Sequence, residues 1–224
     1  MVASVAVALP IGGFGLSVSP LFRVDRVDVT GAHHLSPSDV VRLAGLAGGG
    51  NVFWLDTAEV RRRLESDPWI ARASVTRSLG GTVAIAVRER APVAVVDRSG
   101  AYELVAGDGT LLGTGPRSPT LPVIDAGPGA GSMAGPAGAV AALAKPLRAQ
   151  VVTVVMDDAG ELSLSMRSGV TVAYGPAIAA EQKGRALGEV LAWAKRRGLK
   201  VASVDVIAPA APSLRLVGGA TATP

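Results

Sequence analysis

Apolar and polar positions alternate with a period of two along most of the chain, which predicts short strands, and helical spacing interrupts them in a few places. Residues 1–22 break this pattern, because no charged residue occurs before Arg23. A helix of that length spans roughly 30 Å, the thickness of a bilayer's hydrocarbon core. The abrupt edge at Arg23 predicts a transmembrane anchor over 1–22. No basic residue precedes the apolar run, so it lacks the leading part of a signal peptide, and flanking charge does not orient it.

Phe22, Val24, Val27 and Val29 alternate with charged neighbours, and the slip between Val24 and Val27 predicts a bulged strand that stops at Gly31. Ser36-Pro37-Ser38-Asp39 predicts a capped helix running to about Ala44. Asp56-Thr57-Ala58-Glu59 predicts a capping box and a second helix through Leu64, stopped by Pro68. Ile70 to Arg77 and Thr82 to Arg90 flank Leu79-Gly80-Gly81 as a hairpin. Residues 22–90 thus form a strand–helix–helix–strand–strand unit of α+β class.

From Pro92 onward the pattern predicts a mostly antiparallel β-region. Residues 125–138, rich in Gly, Pro and Ala, are expected to be a loop. Val151 to Met156, Leu162 to Met166 and Val170 to Tyr174 read as successive strands. A long amphipathic helix follows over about 177–197, with Ile178, Leu187, Leu191 and Ala194 on one face. Lys200 to Val206 and Leu214 to Val217 complete the strands, and 218–224 is expected to be a disordered tail.

Composition narrows the function. The chain has 224 residues, 49% hydrophobic and only 4% aromatic, so its core is aliphatic. It lacks cysteine, which excludes disulfides, thiolate metal sites and a Cys nucleophile. The net charge is +4, but the basic residues are scattered apart from Arg61-Arg62-Arg63 and Lys195-Arg196-Arg197, each expected on a solvated helix face. No nucleic-acid motif accompanies them. The adjacent His33 and His34 cannot converge on one metal, and Asp157-Asp158 sits in a predicted turn where Asp is common for local reasons. No nucleophile elbow, zinc-protease or phosphate-loop motif occurs. The expectation is a protein without catalytic, metal or cofactor residues and without a small-molecule substrate.

The order of these pieces resembles the FtsQ/DivIB cell-division family. Val27-Asp28-Val29-Thr30-Gly31, Asn51-Val52-Phe53-Trp54-Leu55-Asp56, Asp67-Pro68-Trp69-Ile70 through Arg77, and Val87-Arg88-Glu89-Arg90-Ala91-Pro92 resemble its POTRA domain. Gly109-Thr110-Leu111-Leu112, Leu121-Pro122-Val123-Ile124, Tyr174-Gly175, Lys183 and Val204-Asp205-Val206 resemble its β-domain. Three departures stand out: Leu79-Gly80-Gly81-Thr82 stands where the family often has an aromatic–Pro turn, Ala106-Gly107-Asp108-Gly109 is an imperfect match to its Val-Asp-x-x-Gly turn, and the family's basic cytoplasmic tail is missing.

The resemblance implies an anchor (1–22), a POTRA domain (23–91), a β-domain (92–217) and the tail. It also implies a single-pass type II protein of the cytoplasmic membrane, its bulk extracytoplasmic, at the division septum. Such a scaffold recruits small bitopic partners, FtsB/DivIC-like and FtsL-like, and helps regulate septal wall synthesis. In the family the C-terminal strand region binds by strand addition, so the matching contact positions here are Glu181, Lys183, Arg185, Val206, Leu214, Arg215 and Leu216. Leu214 and Leu216 are expected on an exposed edge. The alternatives are a POTRA-bearing chaperone of polypeptide transport and a wall-associated enzyme. The first usually carries tandem repeats or a β-barrel, and neither pattern is present.

Overall fold

In the computed structural model, which describes residues 22–78, 80–127 and 132–223, the chain divides into two units at Arg90/Ala91. The predicted anchor over 1–22 falls almost wholly outside the described residues. Among those described, no helix is long and apolar enough to cross a membrane.

The first unit is α+β in the order strand–helix–helix–strand–strand: β1 (Arg26–Thr30), α1 (Pro37–Leu43), α2 (Thr57–Glu65), β2 (Ile70–Arg77) and β3 (Thr82–Glu89). Local chemistry starts both helices. The Ser36 hydroxyl accepts from the Asp39 N–H, and Pro37 supplies a fixed φ at the first turn. The Asp56 carboxylate accepts from the N–H groups of Ala58 and Glu59. Glu59 does not reach back to complete a capping box; it pairs forward with Arg62 and Arg63. The strand begins later than expected as well. Asp25 and Arg26 both donate to the Gly81 carbonyl, so the slip between Val24 and Val27 marks the approach to β1 rather than a bulge within it.

The sheet runs β1-β3-β2, with β1 parallel and β2 antiparallel to the central β3. Val40, Leu64, Ile70, Val83 and Ile85 pack between sheet and helices, each at most 1% exposed. Gly31 ends β1 at φ +80°, where a Cβ would collide with the Val87 carbonyl. Glu89 then ties the following turn down, accepting from His34 N–H (2.7 Å) and Leu35 N–H (2.9 Å). The His34 ring stacks on Trp69 at 3.4 Å between centres. These contacts give the histidine pair a structural role.

The second unit is built on one mixed ten-stranded sheet. Its strands are β4 (Pro92–Arg98), β5 (Ala101–Ala106), β6 (Leu111–Thr114), β7 (Val123–Asp125), β8 (Val151–Met156), β9 (Leu162–Met166), β10 (Thr171–Gly175), β11 (Val201–Asp205), β12 (Ser213–Leu216) and β13 (Thr221–Ala222). Most pairs are antiparallel; β4–β7, β7–β8 and β10–β11 are parallel. One row of registered residues crosses the sheet from Val96 through Ile124, Val154, Leu164, Val172, Val204 and Leu214 to Ala222. All but Ala222 are buried, because α3 (Ala134–Ala142), α4 (Lys145–Arg148) and α5 (Ala180–Arg196) cover them.

Two expectations fail here. The expected loop over 125–138 ends inside a helix: α3 starts at Ala134 and buries Pro136, Ala137, Ala139 and Val140. Its alanines fit closely against the sheet, a packing gain that composition alone does not reveal. The tail expected to be disordered holds β13, which pairs with β12 through Leu214–Ala222 and Arg215–Thr221.

Candidate partner-binding surface

The long helix α5 spans 17 residues, about 25 Å. Leu187, Val190 and Ala194 point into the core with Gly184 and Ala186. Gly184 is required by the fit to α3, since a Cβ there would lie 2.9 Å from the Ala142 carbonyl oxygen. Ile178, expected on the buried face, is 72% exposed. The chain turns at Ala179 with φ +56°, so the helix begins after Ile178 and leaves it outside.

Lys183 is not a surface contact. It is 3% exposed and donates to the carbonyls of Tyr174 and Pro176, both at 2.8 Å. Tyr174 in turn donates its hydroxyl to the Ala180 carbonyl at 2.9 Å. Burial lowers the Lys183 pKa below the ordinary lysine range, partly offset by the charges of Glu161 and Asp205. Burial also pushes the Tyr174 phenol up to about 12. The pair therefore staples the end of β10 to the start of α5.

Val206 is fully buried, its N–H donating to the Ala173 carbonyl at 3.0 Å. Leu214, expected on an exposed edge, is 1% exposed. Its register opposite Val204 turns it into the core, and β13 pairs with its outer side. Leu216 is half-buried against the same core, whereas Arg215 points to solvent. Glu181 and Arg185 are exposed on the first two turns of α5. Of the seven positions, the fold leaves Glu181, Arg185, Arg215 and Leu216 accessible in whole or part. It commits Lys183, Val206 and Leu214 to packing.

Sequence reasoning missed the apolar surface beside them. Val217 and Ile207 are 65% and 47% exposed. Ile207 lines a hollow of about 180 Å3 with Val155, Leu162 and Ala173. The available signal was its phase: after buried Val204 and Val206, an apolar Ile207 falls on the solvent side of the alternation.

A strand–helix–helix–strand–strand unit followed by a sheet that ends on a two-residue strand defines a POTRA-bearing protein with an attached β-domain. Residues 22–90 match the family model "POTRA domain, FtsQ-type", and residues 94–206 match "Cell division protein FtsQ/DivIB, C-terminal". The chain belongs to the FtsQ/DivIB cell-division family.

Among its relatives, cell division protein FtsQ of Streptomyces bingchenggensis is 31% identical over 228 residues, covering 96% of this chain and 84% of that protein. FtsQ of Mycobacterium leprae is 29% identical over 216 residues, covering 93% of this chain and 62% of its own length. For FtsQ of Mycolicibacterium smegmatis the identity is 28%, and the match covers 85% of this chain and 57% of that protein. The major extracytoplasmic domain of DivIB from Geobacillus stearothermophilus aligns with a TM-score of 0.39 at 19% identity, covering 50% of this chain and 98% of that one.

Proposed function

We propose that this chain is a non-catalytic, single-pass type II scaffold of the division septum, with its bulk outside the cytoplasmic membrane. It recruits and holds small bitopic partners, FtsB/DivIC-like and FtsL-like, and through them helps regulate septal wall synthesis. The observation that carries this reading is the C-terminal end of the sheet, in a chain of the FtsQ/DivIB family. There, among the described residues, the outer side of β12 is covered by the two-residue β13, through the pairs Leu214–Ala222 and Arg215–Thr221 and the Leu216 N–H donating to the Ala220 carbonyl. A partner strand that displaces the short β13 pairs along β12 in its place, with Arg215 and Leu216 supplying side-chain selectivity. Glu181 and Arg185 offer a second, charged contact from α5.

Deleting residues 204–224 would not test this, because it removes the buried Val204, Val206 and Leu214. The informative variant is Arg215→Glu with Leu216→Asp, used in a pull-down of the small partners. Recovery is expected to fall at least about tenfold while the chain stays folded. Unchanged recovery refutes strand addition at β12. Depletion of the protein is expected to give filaments without completed septa.

A further inference from the structure

The helical side of the second unit carries a groove of about 1170 Å3, larger than the roughly 300–1,000 Å3 that drug-sized ligands fill. Leu143, Leu147, Met166 and Val170 form its buried floor, and Leu191, Leu199, Val201 and the 65% exposed Val217 supply its accessible apolar lining. On the α5 wall Ala192 puts a small exposed side chain toward the groove, while Gly184 and Gly188 face Ala142 and Leu147 of the chain's own helical layer. From Gly184 to Arg196 the wall runs about 18 Å, three helical turns.

Charge sits along this wall and beyond its end. Arg185 stands near one end, and Lys195, Arg196 and Lys200 near the other, against the single carboxylate Glu189. All four cations are exposed, and among the described residues none has a carboxylate within ion-pair distance. An apolar trough bordered by unpaired cations complements a rod that is apolar on one face and acidic on its flanks. A flat anionic bilayer does not reach the floor of a concave trough, so a lipid surface fits less well.

We propose that this groove docks an acidic amphipathic helix of a partner protein. The helix lays its apolar stripe against Leu191, Leu199 and Val217 and directs Glu or Asp side chains to Arg185, Lys195, Arg196 and Lys200. The short Ala192 side chain keeps the wall low where the partner helix crosses it, and packed helices lie about 8–10 Å apart. This groove reaches the end of β12 at Val217 but does not rest on strand addition there. Lys195, Arg196 and Lys200 belong to this site alone, so the two readings fail independently.

The test uses the full 224-residue chain in mild detergent and a labelled synthetic helix of about 16 residues. The probe carries Leu at helical spacing and Glu on its flanks; its control carries Lys in place of Glu. The acidic peptide is expected to bind and the Lys peptide not to. Lys195→Glu, Arg196→Glu and Lys200→Glu together are expected to weaken the acidic peptide at least about tenfold and to admit the Lys peptide. Ala192→Trp fills the trough without touching charge and is expected to give a similar loss, which decides the matter if the triple variant misfolds. No binding of the acidic peptide, equal binding of both peptides, or unchanged binding by both variants overturns the proposal. Phosphatidylglycerol vesicles bound through the same three cations, with the peptide unbound, also overturn it.

Discussion

The Lys183 ammonium lies 2.8 Å from the Tyr174 carbonyl oxygen and 5.3 Å from the centre of the same residue's ring. One buried cation thereby satisfies two carbonyls, those of Tyr174 and Pro176, where the chain leaves β10 and turns into α5. Replacing it with Met keeps the aliphatic bulk but strands both acceptors. Lys183→Met is expected to destabilise the second unit by about 2–4 kcal/mol. Denaturant unfolding of the variant checks this, and a loss below about 0.5 kcal/mol would show that the acceptors are not orphaned.

Tyr174 offers an alkaline readout of the same staple. Its folded pKa of about 12 stands above the unfolded value near 10. The phenol therefore keeps its proton longer in the folded chain. Its contribution is complete below the unfolded value and is lost as the pH climbs through the folded one. The stability difference between wild type and Tyr174→Phe should shrink over pH 10 to 12, followed by unfolding at fixed temperature. A difference that stays flat across that window contradicts the assignment.

Glu89 gives the first unit an acid-sensitive latch. Burial raises its pKa, but the backbone N–H groups of His34, Leu35 and His33 outweigh that and hold it below the ordinary glutamate range. The folded value is depressed, so the contribution is present above the unfolded pKa and disappears as the pH falls through the folded one. Glu89→Gln is expected to lower stability at pH 7 by about 1–3 kcal/mol, with the gap to wild type closing as the pH falls below about 4. Thermal melts of both proteins between these pH values decide it.

Gly31→Ala meets two obstacles, a left-handed φ of +80° and the Val87 carbonyl in the space of the new Cβ. A loss of at least about 2 kcal/mol in the first unit is expected from denaturation curves. A near-neutral substitution would mean that β1 and β3 separate there at little cost.

Deleting residues 218–224 removes β13 and leaves the core residues of β12 in place. Faster amide exchange is expected along Leu214 to Leu216, with the rest of the sheet unchanged. Loss of protection throughout the second unit would make β13 a structural strand rather than a removable cover.

Much of the architecture is decided by interactions close in sequence. Ser36 and Asp56 cap their helices within three residues, and Ile70–Arg77 and Thr82–Glu89 alternate about a short turn. The order of such pieces carries the family as well. Other features depend on distant partners. Lys183 reads as a surface charge until the carbonyls of Tyr174 and Pro176 close over it, and Leu214 reads as an edge residue until register with Val204 turns it inward. The pairing of Thr221 and Ala222 is too short to show a period, and α3 hides behind its Gly, Pro and Ala composition. Capping and alternation are local energies, legible residue by residue; burial and register belong to whichever surface the rest of the chain brings across, so only the tertiary structure decided them.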